Sequence, residues 1–471
     1  MKKFLFVIAV LSLIFSSLWS CSENTPEILE IQDFRVADID DLKYMPDSTK
    51  NTLHYTVKGK KKIHIFIGKS LCYPAVPEVT NRFYKEVMMS DSLESESEEL
   101  KINDYEISCY TANIDHAEQK LDRSSIYTFF KGTSGLSIIV EYPEKLEVDA
   151  RERAERLIEN IEFIGEEDTS TGIRDIGNDI FSIPADRNWY ISSENKSKIK
   201  IQYAMAENLS QLLSNVEVRF YVNSIYDTAE EYLRYSMDRK SYQEEKGSII
   251  FTEQPYETEI FGCPAMAFEY ERNSDMFGLD DITEYYAKKD DMIFSVKVQI
   301  NNKDEPEAAA EDIRSLLADI TVNEITDEIK AKYTKQYETE HYKYSLPSYF
   351  FYLDKVEDPF FSGMGRRIEI SENSGDNVLS VDEWKSPKAD MFTGMEWEKV
   401  YRTIEVGGRK FHYLSVIYEE DTVEKVKDHL YFMTGDEDKQ LLISLEWDLD
   451  CNEDVFDKKF IMALLESIED I

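Results

Sequence analysis

Three stretches of this chain repeat one order of apolar and polar positions. Each ends on a helical pattern. Ala154, Leu157, Ile158 and Ile161 share one side of a run that begins at Val148. Ala309, Ile313, Leu316, Leu317 and Ile320 do the same from Pro306, and Phe456, Phe460, Ile461, Leu464, Leu465 and Ile468 from Asp454. Recurrence at three and four residues lays one side of a helix on a core.

Ahead of each helix stands a hairpin. Its turn is Asn103-Asp104, Phe261-Gly262 or Gly407-Gly408. Such turns need positive φ, which Gly and Asn tolerate. The strand after the turn runs Tyr105 to Ala112, Cys263 to Tyr270, and Arg409 to Ile417. A strand pair follows: Ile126 to Phe130 with Leu136 to Tyr142, Thr283 to Ala287 with Met292 to Ile300, and Leu430 to Met433 with Leu441 to Trp447. Asp104 to Ile161 spans 57 positions, Gly262 to Ile320 spans 58, and Gly408 to Ile468 spans 60. Matched spacing of this kind is the mark of an internal repeat. The sequence therefore predicts an α+β protein of three tandem antiparallel-sheet domains flanked by helices, at 51–166, 178–322 and 342–471.

The domain fronts are less alike. Phe181-Ser182-Ile183-Pro184 and Tyr344-Ser345-Leu346-Pro347 match, and Leu53 to Val57 is the expected counterpart in the first domain. A middle helix is expected at Glu78 to Met89 and after Asp227-Thr228, where capping residues precede apolar spacing. In the third domain that helix is weak or lost, around Met391 to Val400. Asn323 to His341 is a charged linker with a short helix, and Gly165 to Asp179 is a second linker.

This order resembles the PsbP-like domain, an α/β/α sandwich. The resemblance rests on Phe181-Ser182-Ile183-Pro184 with Trp189, Tyr344-Ser345-Leu346-Pro347, the Gly262 and Gly408 turns and the three helix closings. It covers most of residues 51 to 471, and the first domain departs from it most. It implies a binding or accessory role, because members of that family mostly serve larger assemblies.

The N-terminus changes the picture of where such domains sit. Lys2 and Lys3 precede an apolar run from Phe4 to Ile14, and Leu18-Trp19-Ser20-Cys21 closes it. The run is shorter than the roughly 20 apolar residues of a membrane-spanning helix and has the shape of a secretory signal. Leu18 to Cys21 resembles the lipobox of bacterial lipoproteins. That resemblance implies removal of residues 1–20, acylation of Cys21 and a membrane partner, with Ser22 implying outer-membrane sorting. The alternative is an ordinary cleaved signal. Residues 21–50 read as an acidic, polar tether.

Charge narrows the partners. The chain has 471 residues with 54 Lys and Arg against 94 Asp and Glu, a net of −40, which disfavours nucleic acid. A protein or glycan partner is the expectation. The 29 Tyr and 25 Phe argue against disorder.

Motifs that carry chemistry are sparse in the sequence. Beyond Cys21, Cys72, Cys109, Cys263 and Cys451 are widely spaced, with no C-x-x-C. Cys72 and Cys109 are a candidate disulfide in an oxidising compartment, the alternative being four buried thiols. His64 and His412 sit singly in alternating strands and read as structural. Asp448 to Asp454 begins like a calcium loop but has Glu453 where Gly belongs and Lys459 where the closing Glu belongs. No nucleophile elbow, phosphate loop or dinucleotide fingerprint occurs, and no catalytic residue, metal ligand or cofactor is expected. Aromatics crowd the third domain at Tyr342, Tyr344, Tyr349, Phe350, Phe351, Tyr352, Phe360 and Phe361, with Trp384 and Trp397 beyond. They read either as sheet packing or as a sticky surface for a glycan or protein. The leading reading is an envelope lipoprotein acting as a binding module; the rivals are an envelope hydrolase using acidic residues and a surface-exposed glycan- or protein-binding lipoprotein.

Overall fold

The computed structural model describes residues 28–31, 33–37, 42–45, 52–57, 60–70, 77–83, 95–116, 121–131, 134–165, 174–175, 178–185, 189–195, 197–203, 206–274, 278–353, 360–364, 366–390, 397–419, 426–434, 438–447 and 458–471. Three seven-stranded antiparallel sheets follow one another along the chain, and in each the strands lie in the chain order 1-2-3-7-6-5-4. In unit 1 that order is Leu42–Tyr44, Thr52–Val57, Lys60–Lys69, Ser134–Tyr142, Leu121–Lys131, Tyr105–His116 and Ser95–Ile102. In unit 2 it is Trp189–Asn195, Lys198–Tyr203, Asn215–Val222, Met292–Asn301, Gly278–Lys289, Cys263–Ser274 and Ile249–Ile260. In unit 3 it is Phe351–Leu353, Phe360–Gly363, Arg366–Ser374, Lys439–Trp447, Val426–Thr434, Arg409–Glu419 and Trp397–Val406.

Eight α-helices are described: α1 (Pro77–Arg82), α2 (Glu147–Glu159), α3 (Leu209–Leu213), α4 (Ala229–Glu245), α5 (Pro306–Asp319), α6 (Asp327–Lys332), α7 (Val381–Asp390) and α8 (Lys459–Glu466). The closing helices α2, α5 and α8 bury the spaced apolar residues read in the sequence, among them Ala154 and Leu157, Ile313 and Leu316, and Ile461 and Leu464. The middle helices α1, α4 and α7 belong to the opposite sheet face. Thr228 caps α4 by accepting from Glu231 N–H, and the Glu231 carboxylate accepts from Asp227 N–H, a reciprocal cap. The Phe261-Gly262 and Gly407-Gly408 turns have positive φ at both residues, as a two-residue hairpin requires.

Each unit is stitched shut by a small sheet. The residues after the closing helix pair with a strand ahead of the large sheet: Ile161–Phe163 with Phe34–Val36, Thr321–Val322 with Phe181–Ser182, and Glu469–Asp470 with Tyr342–Lys343. This corrects two expectations. Residues 28–31, 34–37 and 42–44 are strands of unit 1 and not tether, because Ile31, Phe34 and Val36 are buried by the pairing. Leu53–Val57 lies in the large sheet, and Phe34–Ala37 holds the place of Phe181–Ser182. In unit 3 the middle helix is present, but ten residues earlier than expected, at Val381–Asp390; Trp397–Val406 is strand. Trp384 anchors α7 on Leu414, Val416, Tyr431 and Met433.

The apolar clusters alternate with the sheets. The core of unit 1 is one cluster. The outer face of unit 1, with Val79, Phe83, Tyr110, Ala112 and Ile126, merges with the core of unit 2. The outer face of unit 2, with Tyr226, Tyr232, Phe268 and Tyr286, merges with the core of unit 3. The units therefore dock head to tail, a different surface on each side of the contact.

Candidate functional site

The junction of units 2 and 3 encloses a cleft of about 290 Å³. Its apolar lining comes from Ile293, Leu346, Pro347, Phe460, Ala463 and Leu464. Its rim is polar, with Asn223, Asp227, Lys288, Asp291, Thr334 and Lys459. A concave apolar seat with a few convergent polar groups, set between domains, is where small ligands bind.

Three elements aim the rim. Asn223, at φ 55°, ends the strand 215–222 and turns the chain back, so that its backbone N–H meets the Asp291 carbonyl at 2.9 Å. Its amide donates to Thr334 Oγ1 at 3.2 Å, and its carbonyl accepts from the Tyr349 hydroxyl at 3.2 Å. Lys288 Nζ donates to the Asp227 carbonyl at 2.5 Å. Asp291 lies 2.7 Å from Lys330 and 3.3 Å from Lys459. The Lys330 hydrogen bond, above all, holds its carboxyl below the usual range. Asp227 goes the other way: burial raises it, and Lys458 at 3.9 Å only partly opposes. Lys458 is buried and donates to Glu231 at 2.7 Å. The Arg366 guanidinium sits 5.8 Å from the Tyr226 ring and 5.9 Å from the Tyr235 ring.

A second cluster was invisible in the sequence. Glu340, His341 and Glu372 bring one ligand atom each within 4.8 Å of one another and could hold a cation. The His341 backbone N–H and ring already engage the Glu372 carboxylate at 3.0 and 2.5 Å. Burial pushes that carboxyl up, but the donors from Thr339 and His341 outweigh it and hold it low. Two of the residues are neighbours and the third stands 31 positions on, so no spacing motif marks them.

The residues singled out in the sequence disperse. Cys21, Cys72, Cys451 and the segment 448–454 lie outside the described residues. Cys109 is a buried free thiol, pushed up to about 12 by burial, and Cys263 is also free and buried. His64 Nδ1 meets His54 Nε2 at 3.0 Å, and His412 Nδ1 meets the Tyr401 hydroxyl at 2.8 Å. Tyr342, Tyr344, Phe350, Phe361 and Trp384 are core, whereas Phe351 and Tyr352 are half exposed at a sheet edge.

No family model and no curated protein matches this chain. Solved structures do. The solution structure of cyanobacterial PsbP from Synechocystis is similar at 13% identity over 29% of this chain and 92% of that one, with a TM-score of 0.24. A Bacteroides thetaiotaomicron protein is similar at 11% identity over 36% of this chain and 53% of that one, with a TM-score of 0.23. The Ran-binding protein Mog1p of Saccharomyces cerevisiae is similar at 7% identity over 31% of this chain and 90% of that one, with a TM-score of 0.23.

Proposed function

We propose that this chain is a binding or accessory protein of the cell envelope, moored by an acylated Cys21, with its ligand seat at the junction of units 2 and 3. The observation that carries the reading is the cleft itself. It has an apolar lining, and its charges are fixed by partners on both units, as with Asp291 between Lys330 and Lys459. A preformed seat of this size suits a small amphipathic ligand, or an apolar side chain presented by a partner protein. The Leu18 to Cys21 resemblance supports the mooring. Two acyl chains hold a protein on a membrane where one holds it only marginally.

The test of the seat uses hexanoate and leucine as amphipathic probes, titrated into the full chain and followed by intrinsic fluorescence. Saturable binding that disappears in Ala463→Phe, which fills the cleft, supports the reading. Binding unchanged in that variant, or none at millimolar probe, overturns it. For the mooring, cells fed an alkyne-tagged fatty acid should label the wild-type chain and not Cys21→Ser. Equal labelling of both would refute acylation at Cys21.

A further inference from the structure

One row of side chains crosses the outer face of each sheet, and units 1 and 2 fill it with opposite chemistry. In unit 1 the in-register row reads His54, Phe66, Ile139, Ile126, Tyr110. At the same distance from the hairpin turns, unit 2 reads Lys200, Glu217, Lys297, Glu284, Phe268. Unit 1 shows that this row can be mostly apolar, with Phe66, Ile139 and Ile126 at its centre. Unit 2 places four charges there instead, and partly buried charges cost free energy unless something compensates them.

The two carboxylates of the row are compensated by other residues. Glu284 is met by Lys240 Nζ at 2.8 Å and by the hydroxyls of Tyr270 and Tyr286 at 2.8 and 2.5 Å. Glu217 is met by Arg219 at 2.7 Å and Lys198 at 3.6 Å. Lys297 stands between them, and among the described residues it takes no hydrogen bond or ion pair. The surrounding field is cationic. Lys198, Lys200, Arg219, Lys240, Arg272 and Lys297 gather around Glu217, Glu284 and Asp280, in a chain whose net charge is −40. The helix α4 lies over the strands 249–260, 263–274, 278–289 and 292–301, and beside it Arg219 is half exposed at the open flank.

We propose that this charged row, at the flank of α4, seats a small oxyanion, a carboxylate or phosphate group, held by Lys297 with Arg219 and Lys198 beside it. An arriving anion supplies the direct ion pair that Lys297 lacks, since Glu284 and Glu217 attract it but are bonded to other residues. Burial first, and then the repulsion of Arg272, depress its ammonium to about 8. The charged groups facing it are Glu217 and Arg219 from the strand 215–222, Glu284 and Asp280 from 278–289, Arg272 from 263–274, Lys240 from α4, and Lys198 and Lys200 from 198–203. With its ammonium at about 8, Lys297 loses its charge between pH 6.5 and 9.5. The site is independent of the cleft between units 2 and 3.

Calorimetric titration of the full chain with sodium phosphate and, separately, sodium acetate at low ionic strength tests this. Binding of at least one probe at pH 6.5, weakened tenfold or more at pH 9.5, is expected. Lys297→Met should abolish it, Lys297→Arg should keep it at both pH values, and a thermal melt reports that each variant folds. Phosphate binding alone identifies a phosphate seat, and acetate binding alone a carboxylate seat. Failure of both probes, or equal binding by Lys297→Met, overturns the proposal.

Discussion

The two junctions of this molecule use one docking plan with the charges exchanged. At both, the middle helix of one unit meets the N-terminal end of the next unit's closing helix. Between units 1 and 2, Arg82 at the end of α1 makes two 2.9 Å bonds to Asp304, just ahead of α5. Between units 2 and 3, Glu231 in the first turn of α4 meets Lys458, the residue ahead of α8, at 2.7 Å. The first pair is open to water, with side chains 38% and 25% exposed. The second is enclosed, with Lys458 at 7%. A key with its charges reversed tells each unit which neighbour to accept, since like charges would meet in the wrong order. The enclosed key also carries more energy at stake.

Breaking the enclosed key should therefore have the largest effect. Lys458→Met takes from Glu231 and Asp227 the cation they share and leaves Lys288 and Lys459 as the cations near Asp227. Removing one partner of a buried pair costs roughly 3–5 kcal/mol, which a fall in the urea midpoint of the full chain would report. A loss under 1 kcal/mol would show that water reaches the junction and that the two keys are alike. Exchanging the charges, with Glu231→Lys and Lys458→Glu together, should recover part of that loss while either change alone does not.

The charged row of unit 2 sharpens the contrast next. With Lys297 depressed to about 8, the folded chain sheds a proton there that the unfolded chain keeps up to about pH 10.5. The unfolded state thus binds more protons through that window, so stability rises with pH across it, and the full cost is present below pH 8. Lys297→Met should gain on the order of 1–2 kcal/mol at pH 7, after allowance for its partial exposure. The advantage should shrink toward pH 10. An advantage that does not change with pH would mean that packing, not charge, separates the two. Unit 1 has no lysine in the matching row.

Much of this plan was legible in the sequence, for a physical reason. Helix faces at Ala309, Ile313 and Leu316, and turns at Gly262 and Gly408, are set by local periodicity and by φ, and both are written in consecutive residues. The first strands of unit 1 were not legible. Phe34 and Val36 occupy a four-residue strand among acids, too short to show alternation, and their burial comes from Ile161–Phe163 far along the chain. The middle helix of unit 3 was misplaced because Trp384 is the one buried residue among its described side chains and its neighbours in sequence are polar, so no apolar stripe declares it. The candidate sites were hidden by their long range. Lys458 reaches Glu231 across 227 positions and Lys297 gains its neighbours by register, and in a chain with 94 acids no local pattern singles out either.

Tyr349 tests the junction at a smaller scale. Its buried hydroxyl bonds the Asn223 carbonyl, and its ring stands 5.2 Å from that of Tyr221. Tyr349→Phe keeps the ring and loses the bond, for about 1 kcal/mol. The probe affinity of the cleft should fall with it, because Asn223 then loses one of its fixings. Unchanged affinity would mean that Thr334 and Asp291 hold Asn223 by themselves.

Arg82→Ala should have the smallest effect, and for that reason it is the sharpest check on the comparison. Both partners are partly solvated, so removing the pair should cost about 0.5 kcal/mol and no more than about 1, with most of that recovered at high salt. Val79 and Phe83 continue to hold the outer face of unit 1 against the core of unit 2. If Arg82→Ala instead costs as much as Lys458→Met, exposure does not distinguish the two keys. The first junction would then depend on its ion pair as strongly as the second, despite the water around it.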